Sequence, residues 1–144
     1  MWHQRKRALD GRPVADPLDG LRRAIDRFPA VVTEKLRAVA LRKAGEVKSI
    51  AGRLAPRSSD PRSELNQGHP HMADSIVVVE DEANKQFLVR PETPWNPDLG
   101  LWVERGTAHM SARPFMRPAS DQVEGSYQRE MAEAASSAAS EAFE

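Results

Sequence analysis

From Asp19 to Leu54 apolar side chains recur every three or four residues, and no other stretch restricts the fold of this chain as strongly. Leu21, Ile25, Phe28, Val32, Leu36 and Val39 mark one stripe, and Val47, Ile50 and Leu54 resume it. Arg22, Arg23, Arg37, Arg42, Lys43 and Arg53 fall mostly elsewhere. That period puts the apolar set on one face of an α-helix. Asp19 is a candidate cap for its start. Pro29 has no amide proton, which predicts a kink or a second helix beginning there. Pro56 stops the run. One such helix in a chain of 144 residues leaves room for a single modest domain.

The remaining elements are shorter. Residues 1–18 read as a disordered basic arm, punctuated by Pro13 and Pro17 and too polar to offset the cost of ordering. Residues 56–71 are a polar stretch with three prolines, part of a long loop over 56–74. Ser75–Glu80 (SIVVVE) and Gln86–Arg90 (QFLVR), separated by DEANK, read as an antiparallel hairpin. Pro91, Pro94 and Pro97 enforce a loop. Leu99–Arg105 (LGLWVER) alternates Leu101 and Val103 with Trp102 and Glu104, which predicts a third strand ending at Gly106. From Pro118, at an expected first helical position, the chain is helical again, with Val123, Tyr127 and Met131 as a weak stripe. The alanine- and serine-rich residues 136–144 are expected to be a frayed tail. The fold class is therefore α+β: a single domain over 19–135, with the two helices packed on an antiparallel sheet of three or four strands.

Composition narrows the function. The chain has no cysteine, so disulfides, thiolate metal sites and cysteine nucleophiles are excluded. No apolar run approaches the roughly 18 residues that span a bilayer, and the basic N-terminus lacks the apolar core of a secretory signal. A soluble protein of a bacterial cytoplasm, or of a particle assembled there, is the expectation. His3, His69, His71 and His109 match no closed zinc pattern, so no metal or cofactor is expected. Glu104 beside Arg105, with Thr107 and His109 near, is the one arrangement resembling an acid/base group. Neither a nucleophile elbow nor a glycine-rich phosphate loop accompanies it, and no catalytic role is expected. Charge is unevenly spread: residues 1–63 hold 15 Lys+Arg and 7 Asp+Glu, against 6 and 14 in residues 64–144. The two halves can pair between subunits, the basic half can face DNA, or both can simply be solvated. Arg5, Lys6, Arg7 and Arg12 are the candidates for non-specific DNA contact, which makes a basic-armed DNA-contacting accessory protein the alternative function.

The most distinctive segment is WVERGTAHMSARPFMRPASDQ, Trp102 to Gln122. It resembles the phage morphogenesis family typified by the tenth gene product of a lambdoid siphophage, a family of neck or tail-completion proteins. The resemblance rests on an aromatic-x-Glu-x-Gly-Thr element followed by Pro-Phe-x-x-Pro-Ala, here Trp102, Glu104, Gly106, Thr107, Pro114, Phe115, Pro118 and Ala119. AGRLAP, Ala51 to Pro56, and the Ser75–Ile76 pair fit the same pattern, so it covers roughly residues 20–125. The connection after Pro56 is longer and more polar than the family's. The resemblance implies a structural protein of the head–tail junction of a virion, assembling as a ring. Its implied partners are other neck, head-closure and tail-terminator proteins, with DNA in the channel. Within the motif, Gly106 is expected to need a positive φ and Thr107 to bond the turn backbone. Phe115 is expected to close its own domain's core, or else to anchor a neighbouring subunit.

Overall fold

A computed structural model describes residues 18–57 and 69–144. Helix α1 runs unbroken from Asp19 to Leu54, about 54 Å at 1.5 Å per residue. Pro29 lies inside it, so the stripe makes one helix and not two. Leu18 occupies the N-cap position and Asp19 the first helical one, where its charge faces the positive helix end without capping it. At the other end the Ala55 amide still donates to Ala51 O at 2.8 Å, and Ala55 itself is extended ahead of Pro56.

A short 3-10 turn, Met72–Asp74, leads into the hairpin of β1 (Ile76–Asp81) and β2 (Gln86–Pro91). The strands are antiparallel, with Val78 opposite Val89 and Glu80 opposite Phe87. Asp81 holds the connecting turn: its carboxylate accepts the Asn84 amide at 3.2 Å, the Asn84 side chain at 2.8 Å and the Gln86 side chain at 3.1 Å. These three donors hold its pKa below the ordinary aspartate value.

Leu99–Arg105 is a helix, α2, and not the third strand expected from its alternation. The sheet accordingly has two strands among the described residues, where three or four were expected. Seven residues are too few to separate the two periods: Leu99 and Val103, four apart, share a helical face as readily as Leu101 and Val103 share a strand face. Packing decides. Val103 is buried, and Gly100 lies so close to β2 that a Cβ there would sit 2.5 Å from the Pro91 ring.

Helix α3 spans Met116–Phe143. Pro118 is its third residue and not its first. The frayed tail expected at 136–144 is instead helical to Phe143, with Ala138 and Ala142 buried. Small side chains are the reason. Two helices approach closely where alanines meet, and α1 runs antiparallel to α3 in that way. Lys35 of α1 reaches Glu141 at 2.9 Å, and Lys43 reaches Glu130 at 2.6 Å. The Arg27 guanidinium donates to the Ala142 carbonyl at 2.9 Å, one of the last-turn acceptors a helix leaves open. The opposite charges of the two halves thus pair within one chain.

The core sits at the C-terminal end of α1. Ala51, Ala55, Met72, Ala73, Ile76, Val103, Phe115 and Ala119 form it, and among the described residues Phe115 and Ile76 are the large side chains sealed almost completely from solvent. The fold is α+β, with α1 as the element that both the hairpin and α3 pack against.

Candidate functional site

The Trp102–Ala119 segment is a device for starting α3. Glu104, near the end of α2, turns its carboxylate onto the first turn of α3. Its Oε2 accepts the amides of Phe115 at 2.9 Å and Met116 at 3.0 Å, and its Oε1 accepts that of Arg117 at 3.1 Å. Pro118 has no amide to satisfy, and the Ala119 amide begins the helical ladder on Phe115 O at 3.3 Å. Every open donor of that helix end is therefore accounted for, with no Ser, Thr or Asp at the N-cap itself. Burial pushes the Glu104 carboxyl upward, but three amides and the Arg117 charge outweigh it, so its pKa lies below the ordinary glutamate value. The acid/base reading of Glu104 gives way to this one, because its oxygens are engaged by the backbone.

Between Glu104 and Phe115 the chain makes a tight return. Gly106 adopts φ 78°, ψ 174°, as the motif predicts. The Thr107 amide bonds Met110 O at 2.8 Å, and the Thr107 hydroxyl accepts the His109 amide at 3.2 Å. The Arg113 amide donates to Val103 O at 2.8 Å and draws the return onto α2. Phe115 and Ala119 are fully buried, whereas Pro114 is exposed and Pro118 half-buried. Trp102 stays 42% exposed beside Leu101 at 49%, so the motif's first aromatic does not serve the core.

Replacing Glu104 by glutamine is expected to cost about 1–2 kcal/mol at neutral pH, the usual worth of a helix cap. Because its folded pKa is lowered, Glu104 contributes fully above its unfolded value near 4.5 and loses that contribution as pH falls through the folded value. The stability gap between wild type and Glu104→Gln should therefore be widest at pH 7 and close below about pH 4.5. Urea titrations at pH 7, 4 and 3 measure it, and a gap independent of pH would contradict the cap.

A second feature is an open groove of about 1250 Å³ between α1, the hairpin and α3. Leu36 and Val47 of α1, Phe87 and Val89 of β2, and Tyr127 and Met131 of α3 line it. Two charge clusters border it. Arg37 grips Glu80 with two bonds, 2.9 and 2.8 Å, and its guanidinium lies 5.5 Å from the Phe87 ring centre. Lys43, buried on the α1–α3 seam, meets Glu46 at 3.1 Å, Glu130 at 2.6 Å and the Ser126 hydroxyl at 3.1 Å. Its bond to Glu130 outweighs burial and raises its pKa, and the same contact lowers that of Glu130. The spacing places Lys43 on the apolar stripe, four residues from both Val39 and Val47, but nothing in the sequence pattern points to Glu130 as its partner.

A third feature lies at the far end of the helical pair. Leu18 at the N-cap of α1, Leu21 and Ile25 within it and Phe143 of α3 are each about half exposed, with the Phe143 ring centre 6.1 Å from that of Phe28. Along the stripe that defines α1, Val39 is buried and Phe28, Val32, Leu36, Val47 and Ile50 are half-buried, while Leu21 and Ile25 near its start and Leu54 at its end are exposed.

Of the histidines, His69 stacks on Trp95 at 5.0 Å and His109 is exposed on the return turn. Among the described residues no three His, Cys, Asp or Glu side chains converge as metal ligands would. Arg5, Lys6, Arg7 and Arg12 lie outside the described residues. Among those described, no helix is long and apolar enough to cross a membrane. Compared with protein-family models, with curated proteins and with solved structures, the chain has no match.

Proposed function

We propose that this protein is a structural component of a tailed-phage particle, working at the head–tail junction by joining copies of itself and neighbouring neck, head-closure and tail-terminator proteins in a ring. The observation that carries the reading is a pair of separate apolar surfaces on one small domain. The groove lined by Leu36, Phe87 and Met131 lies near the core, and the Leu18–Leu21–Ile25–Phe143 patch lies at the other end of α1. Apolar surface left open in this way marks association sites. Two unlike surfaces on one subunit suit a heterologous, head-to-tail contact, the kind that closes into a ring. The resemblance of Trp102–Gln122 to neck and tail-completion proteins supplies the biological setting, and the chemistry that segment performs is positional: a cap, a turn and a plug. Virions are accordingly the expected location.

Electron microscopy of particles made after deleting the gene from its parent element tests the proposal. Full heads beside separate tails are the expected result, and intact, transfer-competent particles would end it. The isolated protein is expected to be monomeric or weakly associated, since its open surfaces are shared with partners that are absent. Light scattering that finds a tight ring at micromolar protein without partners would contradict that expectation.

A further inference from the structure

Helix α1 carries nine Lys and Arg against four Asp and Glu, a net of +5. Most of these cations are committed. Lys35 pairs with Glu141, Arg37 with Glu80, and Arg42 and Lys43 with Glu130, while Arg27 bonds the Ala142 carbonyl. Lys48 and Arg53 differ. Among the described residues neither has a carboxylate within ion-pair distance.

These two side chains line one hollow of about 530 Å³ on the face of α1 away from the apolar groove. Ser49 and Arg57 line it with them, Gly45 leaves the helix backbone open there, and Gly52 faces the Ala73 carbonyl oxygen. Among the described residues one carboxylate borders it, Asp74, and Arg57 already neutralises that group with two bonds of 2.9 and 2.6 Å. The hollow is therefore left with the charges of Lys48 and Arg53, a hydroxyl beside them, and an open approach: a Cβ on Gly45 would meet nothing within 4 Å. An arginine fork and a lysine point charge, five residues apart on an exposed helix, suit phosphate oxygens.

We propose that the Lys48–Arg53 hollow binds backbone phosphates of a nucleic acid. A single free phosphate gains little from two solvated cations. A polyanion releases condensed counterions at each contact and presents successive phosphates to both side chains, so the polymer is favoured over the small anion. A lipid surface is disfavoured because a peripheral membrane site pairs its cations with apolar side chains that insert, whereas the apolar lining here, Ala73 and Ile76, is buried. The contact is taken as sequence-independent, because both cations are assigned to phosphates and no side chain of the hollow is assigned to a base edge. It stands apart from the assembly reading and also from the basic residues Arg5, Lys6, Arg7 and Arg12.

The test is fluorescence anisotropy of the full chain with a labelled duplex of about 20 base pairs across a salt series. It compares wild type, Lys48→Ala/Arg53→Ala, and a variant with Arg5, Lys6, Arg7 and Arg12 all changed to alanine. The double variant is expected to bind roughly tenfold or more weakly at about 50 mM salt, and its slope of log affinity against log salt should flatten by about two. Its melting temperature should be unchanged, because among the described residues neither side chain holds a structural partner. The N-terminal variant should retain a salt-dependent interaction that the double substitution removes. The proposal is overturned if wild type fails to bind the duplex at that salt, or if the double variant keeps both affinity and slope. Competition by inorganic phosphate beyond its ionic-strength effect would assign the hollow to a small anion instead. Binding to vesicles of anionic phospholipid without binding to the duplex would assign it to a membrane.

Discussion

Phe115→Ala is expected to lower the stability of this domain by about 3–5 kcal/mol. Phe115 is completely buried, and the residues clustered with it are mostly small, among them Ala51, Ala55, Ala73 and Ala119. Alanines have no rotamers with which to fill a vacated ring, so the cavity persists and the cost stays at the upper part of that range. In a domain of marginal stability this removes a large share of the total. The fall in melting temperature, followed by far-ultraviolet circular dichroism, should be on the order of 10 °C or more. Phe115→Leu, which keeps most of the volume, should lose markedly less. A near-wild-type melting temperature together with failed particle assembly would show that Phe115 anchors a neighbouring subunit and not its own core.

Gly106→Val is expected to be as damaging, by a different route. The residue sits at φ 78°, ψ 174°, a region that is essentially confined to glycine. A Cβ there would come within 2.8 Å of both the Ala112 nitrogen and the Met110 oxygen. Those atoms are backbone, and the two limbs of the return are tied by Thr107 to Met110 and Arg113 to Val103, so neither can withdraw without loss of those bonds. Conformational strain alone costs about 1–3 kcal/mol, and the clash and the broken return add to it. Gly106 also fixes where Glu104 meets the start of α3, so the helix cap should fail with the turn. Amide hydrogen exchange reads this directly: protection of Phe115, Met116 and Arg117 should collapse in Gly106→Val, and unchanged protection and stability would refute the account.

Both residues are legible in the sequence itself, for reasons that are local. A glycine ending an apolar segment and a phenylalanine held between prolines carry their constraints in their own covalent chemistry. Helix α1 is equally legible, because its 36 residues sample the helical period about ten times over, and Asp19 to Leu54 is the span observed. The hairpin follows from two β-branched or aromatic runs joined by a polar turn, and its strands fall at Ile76–Asp81 and Gln86–Pro91.

What the sequence leaves open is whatever depends on distance through space. Leu99–Arg105 offers seven residues to two periods. Its helical state is selected by Gly100 closing on Pro91 and by Glu104 reaching the amides of Phe115, Met116 and Arg117, eleven to thirteen residues away. The last turns of α3 have little apolar character of their own, and they are ordered by α1, whose Arg27 and Lys35 meet Ala142 and Glu141 across more than a hundred residues of chain. The same holds for the charge asymmetry between the halves of the chain. Composition establishes its size, but only the antiparallel pairing of α1 with α3 brings Lys43 to Glu130, while Lys48 and Arg53, on another face of α1, meet no carboxylate among the described residues. Local chemistry fixes torsions and periods within a few residues, and which distant side chains then share a surface is a property of the packed chain alone.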